Sequence, residues 1–285
     1  MIKEKQKLKA PEPWWSNLGG FFGAKYIEGD NSLEGYLPEK QESLEERTRR
    51  EVDGVIRLLE LKKEDWILDM PCGYGRHTIE LIIRGYVPKG IDINAIHIAE
   101  AEKRLYLEAK KRNKNPHFEP TCWGYFGMGD MRDMIDQREV YHAIINMFYS
   151  FGFFETDKEN EQVMDEFFKS LKPHGQLLLH TDVSPEILAS GRYKFEEVRN
   201  LTSEKKLYIL EEYNSQTKRM NGSWSIIQTD GKEERLTPYS VRIYSREEFE
   251  DMAKNIGFRE TKFYGSFEGE EFSKDSKELI MVARK

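Results

Sequence analysis

The sequence predicts an α/β fold: a mainly parallel, seven-stranded sheet with helices on both faces, interrupted late in the chain by a small antiparallel β insertion. Three observations predict it. Short apolar runs alternate with segments of helical period as far as residue 182. A buried-type strand ends in two near-adjacent glycines, Gly73 and Gly75. Between residues 193 and 244 the rhythm changes to short, polar, alternating runs.

The elements follow in order. Residues 40–61 lead into Val55, Ile56, Leu58 and Leu59, a helix with one apolar side. In the first strand, Leu68 and Met70 lie among other apolar residues, as in a strand buried on both faces. Residues 78–84 turn helical, with Ile79, Ile82 and Ile83 on one side. A second strand covers residues 87–93, and a helix over 95–111 directs Ile98, Ala101, Leu105 and Ala109 at the sheet. Strands at 125–129 and 143–148, a helix over 158–171 and a fifth strand at 176–182 complete the alternation. The insertion reads as strands 207–213, 219–229 and 235–244, with Asp230-Gly231 as a hairpin turn and Trp224, Tyr239 and Tyr244 among its aromatics. A helix over 247–255 ends at Gly257, and strands 258–263 and 277–284 close the sheet, with the loop 264–269 reaching toward the substrate side. Three units result: an N-terminal tail and aromatic lid (1–40), a Rossmann-like domain (41–190 and 245–285) and the insertion (191–244).

The glycine turn places a ligand between a strand end and a helix start, the crevice where open α/β sheets bind cofactors. Both glycines are expected to let a ligand approach the backbone, although any tight strand-to-helix turn can use glycine for its angles. The second strand ends in Gly90-Ile91-Asp92-Ile93-Asn94, so Asp92 stands about 17 residues beyond Gly75, near the spacing of an acid that binds a ribose diol. After Gly75 come Arg76, His77 and Thr78, without the third glycine of a dinucleotide fingerprint, which argues against NAD. No Gly-Lys-Ser/Thr phosphate loop occurs either. A nucleoside cofactor without phosphates remains, and S-adenosylmethionine is the common one.

Five motifs in order now show a likeness. Asp69-Met70-Pro71-Cys72-Gly73-Tyr74-Gly75-Arg76-His77, Gly90-Ile91-Asp92, Gly129-Asp130-Met131-Arg132-Asp133, Asn146-Met147-Phe148-Tyr149-Ser150-Phe151-Gly152 and Leu171-Lys172-Pro173-His174-Gly175-Gln176-Leu177 resemble those of class I S-adenosylmethionine-dependent methyltransferases, small-molecule type. The resemblance runs from about residue 45 to the C-terminus. It implies that Asp69, Gly73 and Gly75 face the methionine part of the cofactor with Cys72 and Arg76 beside them. Asp92 and Ile93 would meet the ribose, Asp130 and Met131 the adenine edge, and Asn146 the methionyl side. It also makes Tyr26, Tyr36 and Arg47 lid candidates. Plainer readings stand beside these: Asp69 as a helix-capping acid, Cys72 as a packed small residue, Asp130 and Asp133 as surface partners of Arg132, and the lid residues as aromatic packing and a solvated helix face.

Methyl transfer from a sulfonium needs alignment and desolvation more than a strong base. Base candidates near strand ends are His180, Tyr149, Asp182 and Tyr244. His180 has the most suitable unperturbed pKa, yet its strand also permits a hydrogen-bonded structural histidine. The expected reaction is methylation of a small molecule at nitrogen or oxygen rather than carbon. A Rossmann NAD(P)-dependent oxidoreductase and a noncatalytic cofactor-binding scaffold are the rival classes.

Composition agrees with a globular enzyme. The 285 residues are 38% hydrophobic and 12% aromatic, and 44 basic against 51 acidic residues leave a charge of −7, which opposes general binding to nucleic-acid phosphates. Two cysteines, Cys72 and Cys122, fit neither a disulfide framework nor a metal site. With no signal-peptide core and no apolar run of membrane-spanning length, the expected compartment is the cytoplasm.

Overall fold

The computed structural model describes residues 13–16, 20–30, 42–112, 125–191 and 193–285. Tyr36 and Cys122 fall outside them. In chain order the elements are α1 (Ala24–Asp30), α2 (Leu44–Leu58), β1 (Trp66–Asp69), α3 (Arg76–Ile83), β2 (Val87–Asp92), α4 (Ala95–Lys111), β3 (Phe126–Met128), β4 (Tyr141–Asn146), α5 (Asp157–Ser170) and β5 (Leu171–Thr181). Then follow α6 (Pro185–Ala189), β6 (Glu196–Asn200), β7 (Lys205–Asn214), β8 (Arg219–Gln228), β9 (Glu233–Arg235), β10 (Tyr239–Arg242), α7 (Arg246–Ile256), β11 (Glu260–Tyr264) and β12 (Leu279–Arg284).

Seven strands form one sheet in the order β11-β12-β5-β4-β1-β2-β3. The five strands from β5 to β3 run parallel, while β12 lies antiparallel to both β5 and β11. Side-chain alternation divides the core. Leu68, Ile144, Leu177 and Met281 join Val163, Phe167 and Phe249 of α5 and α7 on one face. Ile67, Ile145, Leu178 and Ile280 join Val52, Val55 and Leu81 of α2 and α3 on the other. Helix starts are written locally: Ser43 with Glu46, Thr156 with Glu159 and Ser245 with Glu248 each close a reciprocal capping box.

The second sheet is antiparallel, in the order β10-β8-β7-β6, with β9 added to β8. Its buried face carries Leu207, Ile209, Met220, Trp224, Ile226 and Val241, packed against Phe21 and Phe153. Three features depart from the expected elements. Helices α1 and α6 and strand β6 were too short and too polar to show a period. β5 begins at Leu171, immediately after α5 and ahead of the Pro173-His174-Gly175 turn. Tyr244 is not part of the insertion: it packs on Phe151 and Phe249 in the main core, and its hydroxyl donates to Asp157 Oδ1 at 2.9 Å. Among the described residues, no helix is long and apolar enough to cross a membrane.

Candidate functional site

Two cavities meet at the C-terminal ends of β1, β2 and β4, where the strand order reverses between β1 and β4. The inner cavity is narrow, about 100 Å³, and is walled by Gly73, Asp92, Ile93, Asp130, Met131 and Phe148. The outer cleft, about 900 Å³, opens between the parallel sheet and the insertion. Phe22, Tyr26, Phe148 and Phe153 line both and form the partition between them.

The two glycines have different tasks. Gly73 sits at φ +54, and a Cβ there would meet nothing closer than His97 Nδ1 at 3.9 Å, so its backbone faces open space in the inner cavity. Gly75 sits at φ +82, but its missing Cβ makes room for the Phe126 ring (2.8 Å) and Ala101 Cβ (2.9 Å). It does not line the cavity, contrary to expectation. Gly75→Ala is therefore expected to cost about 2–4 kcal/mol through left-handed strain and overpacking. Gly73→Ala should cost only ~1 kcal/mol of stability while obstructing ligand entry. Thermal denaturation and ligand titration of both variants separate these effects, and equal destabilisation would contradict the assignment.

Asp92 lies 5% exposed at the cavity wall. Its Oδ2 accepts the Gly73 N–H at 2.9 Å and its Oδ1 accepts the Asn94 N–H at 2.8 Å, which fixes the carboxylate and leaves further lone pairs for a ligand. Beside it stands His97, a residue that sequence reasoning missed. Its Nδ1 is 3.8 Å from Asp92 Oδ2, and its buried Nε2 has no hydrogen-bond partner among the described residues. His97 points back into the cavity because Asn94 caps α4, accepting from the N–H groups of Ile96 and His97. The motif Asp92-Ile93-Asn94 was legible, whereas the lone histidine on an apolar helix face was not.

Arg76 also reaches the inner cavity. Its Nη1 donates to Glu51 and, at 3.1 Å, to Thr48 Oγ1, while its buried Nη2 lacks a partner among the described residues. Glu51, fully buried on α2, gathers Arg76, Arg47 (2.7 Å) and His77 (2.8 Å). Burial alone would raise its pKa, but Arg76, Arg47 and His77 together hold it well below the carboxylate range. Burial, reinforced by Arg76, lowers His77 to about 4 despite the Glu51 contact. Arg47 lines the outer cleft rather than the inner cavity, with its guanidinium over the Phe148 ring at 4.7 Å.

Asp69, Asn146 and His180 depart from the roles expected of them. Asp69 is completely buried, and its Oδ2 accepts from the N–H (3.1 Å) and hydroxyl (2.6 Å) of Thr78, so it ties the first turn of α3 to β1 and faces no cavity. Asn146 donates to the Met70 carbonyl at 2.9 Å, bridging β4 and β1, and it too lies behind the wall. His180 is wholly buried against Phe267 and accepts the Phe148 N–H at Nδ1 (3.2 Å). Burial lowers its pKa to about 3, and it lines neither cavity; the hydrogen bond its ring makes is to the backbone of Phe148. Tyr149 does line the outer cleft, at φ +61, with a buried hydroxyl that has no partner among the described residues.

The remaining expected residues fall as follows. Cys72 is buried in the wall, and its thiol donates to the Gly73 carbonyl at 3.5 Å. Asp130 reaches the cavity edge, where Arg132 grips both carboxylate oxygens, Oδ2 at 2.7 Å and Oδ1 at 3.2 Å. The second acid on Arg132 is Glu159 (2.9 Å), not Asp133. Tyr26 belongs to an aromatic roof with Trp14, Trp15 and Phe22. Asn94 Nδ2 clasps this roof by donating to the carbonyls of Trp15 (3.2 Å) and Phe22 (2.7 Å), and the Tyr74 hydroxyl does so by donating to Asp30 at the end of α1. The space enclosed is smaller than the ~300–1,000 Å³ of ordinary ligand pockets. Among the described residues no cluster of ligands suits a metal ion.

A parallel sheet with antiparallel β12 beside β5, and a cavity at the ends of β1 and β2, defines the fold of class I S-adenosylmethionine-dependent methyltransferases. No family model matches the chain. YqeM of Bacillus subtilis (strain 168), a candidate methyltransferase, is 22% identical over 231 residues, covering 79% of this chain and 86% of that protein. The CcbJ methyltransferase from Streptomyces caelestis superposes with a TM-score of 0.67 at 16% identity, over 83% of this chain and 88% of its own. CalS10, an amino pentose methyltransferase from Micromonospora echinaspora solved with S-adenosylmethionine bound, gives 0.59 at 19% identity, over 84% and 90%.

Proposed function

We propose that the protein is an S-adenosylmethionine-dependent methyltransferase that methylates a small-molecule acceptor at nitrogen or oxygen. The observation that supports this most directly is the convergence of Asp92, His97 Nε2 and Arg76 Nη2 on one cavity floored by Gly73. A fixed carboxylate suits a ribose diol, and a guanidinium with a spare N–H suits the methionyl carboxylate. Two buried polar atoms without partners are costly unless a ligand completes them. Asp130 and Met131 would border the adenine.

When bound, the sulfonium supplies an activated methyl group and departs as a neutral sulfide that keeps the C–S electron pair. The chain's own part is placement and exclusion of water. Phe22, Tyr26, Phe148 and Phe153 form the apolar partition through which acceptor and cofactor meet, and the Trp14–Trp15 roof closes the cofactor side. Strands β6, β7, β8 and β10 of the insertion supply the far wall of the acceptor cleft through Glu197, Arg199, Ile209, Glu211, Trp224 and Tyr239. That cleft has the size of a small-molecule site, in keeping with the amino pentose acceptor in the name of CalS10. Its carboxylate-rich lining and the chain's charge of −7 oppose nucleic acid as the acceptor.

Calorimetric titration tests the reading. S-adenosylhomocysteine is expected to bind saturably with a Kd on the order of micromolar, and NADH not at all. Binding of NADH alone would point instead to the oxidoreductase class.

A further inference from the structure

Chemistry-bearing side chains in the outer cleft concentrate on the insertion. Glu211 of β7 lies between two tyrosines: its Oε2 accepts the Tyr193 hydroxyl at 2.6 Å and its Oε1 accepts the Tyr239 hydroxyl. Trp224 and Phe21 are buried against the same wall and line the same space. Across it stand Asp182, just beyond β5, and Tyr149, whose enclosed hydroxyl has no partner among the described residues. Burial, opposed by the hydrogen bonds from Tyr193 and Tyr239, leaves the Glu211 carboxyl with a raised pKa. Burial likewise raises Asp182, against the pull of Arg47.

The lining is acidic on balance. Eight carboxylates face five cationic side chains; Arg47 and Arg50 are engaged with Glu51 (2.7 Å) and Glu42 (2.9 Å) outside the cleft, and Arg199 pairs with Glu197 (2.6 Å) within it. No histidine lines the cleft among the described residues. An alcohol would need a far stronger base than a carboxylate to become a nucleophile, whereas an ammonium ion is matched by one whose basicity has been raised. Aromatic faces beside the carboxylate add further attraction for a cation.

We infer that the acceptor is a small molecule bearing a primary or secondary amine, which enters the outer cleft as an ammonium ion and is held and deprotonated by Glu211, with Asp182 and the Tyr149 hydroxyl as its other polar partners. This rests on the methyltransferase reading above and narrows it. In the proton step an N–H bond of the ammonium breaks and its proton forms an O–H bond with the Glu211 carboxylate. The N–H electron pair stays on nitrogen as the lone pair that attacks. Tyr193 and Tyr239 hold the carboxylate by one lone pair on each oxygen, leaving the others for the amine.

The experiment uses the full chain and calorimetry. S-adenosylhomocysteine is titrated first; failure at this stage defeats the methyltransferase reading itself. With the complex formed, matched pairs are compared: cyclohexylamine with cyclohexanol, benzylamine with benzyl alcohol, and glucosamine with glucose. At least one amine is expected to bind about tenfold more tightly than its hydroxyl counterpart. Glu211→Gln should abolish that preference while S-adenosylhomocysteine affinity stays within about twofold. Equal or tighter binding of the hydroxyl member in every pair, no binding by any of the three amines, or an unchanged preference in Glu211→Gln, overturns the inference. If Glu211→Gln fails to bind S-adenosylhomocysteine and so reports a misfolded variant, the wild-type amine-to-hydroxyl ratio decides alone, and a ratio at or below unity overturns it.

Discussion

Glu51→Ala is expected to lower the unfolding free energy by about 3–5 kcal/mol, the usual cost of leaving buried charge without its partner. Glu51 has no solvent exposure and is the shared acceptor for Arg47, Arg76 and His77. Without it, two guanidinium groups stand close together in the core, and both also lie over Phe148, at 4.7 and 5.2 Å. Phe148 forms part of the partition between the cavities, so the damage reaches the site. Denaturant unfolding at neutral pH measures the first effect and S-adenosylhomocysteine titration the second. Glu51→Gln retains one acceptor and should lose less; a loss below ~1 kcal/mol in the alanine variant would place Glu51 among ordinary surface pairs.

The second large effect is on cofactor affinity. Asp92→Ala removes two charge-assisted acceptors, each about 1.5–3 kcal/mol toward a sugar hydroxyl, and releases the Gly73 and Asn94 N–H groups that the carboxylate now fixes. S-adenosylhomocysteine should bind at least ~100-fold more weakly. Circular dichroism checks that the variant is folded, and undiminished affinity in a folded variant would take Asp92 out of the site. Asn94 stands one step further from the ligand: its side chain both caps α4 and clasps the aromatic roof, so changes there should alter rates of entry and exit before affinity.

The site residues that the sequence points to separate into two groups by where their side chains lead. Gly73, Asp92, Ile93, Asp130, Met131 and Arg76 sit at strand ends, in the turns that follow them or at the helix start beyond, and the structure brings all six to one cavity. Asp69, Gly75 and Asn146 belong to the same motifs, and His180 follows the last of them on β5, but these four serve the scaffold: a tie to the first turn of α3, a close approach to Phe126, a bridge between β4 and β1, and a backbone prop. Motif membership does not distinguish a residue that meets a ligand from one that holds the loop in place, since both are demanded by the same turn. The distinction rests on the direction of a side chain, set by φ/ψ and by what packs behind it.

Local chemistry was enough for the alternation of strands and helices, the hairpin at Asp230-Gly231 and the glycine turn, because each depends on residues within a few positions of one another. Long-range closure supplied the rest. Glu51 meets His77 across 26 positions, Asp30 meets Tyr74 across 44, and Asn94 reaches Trp15 across 79. Glu211 owes its candidacy to Tyr193 and Tyr239, 18 and 28 positions away. Periodicity records which face of an element is apolar, but buried charges are tolerated only where distant partners neutralise them, and those partners are known only once the chain has folded.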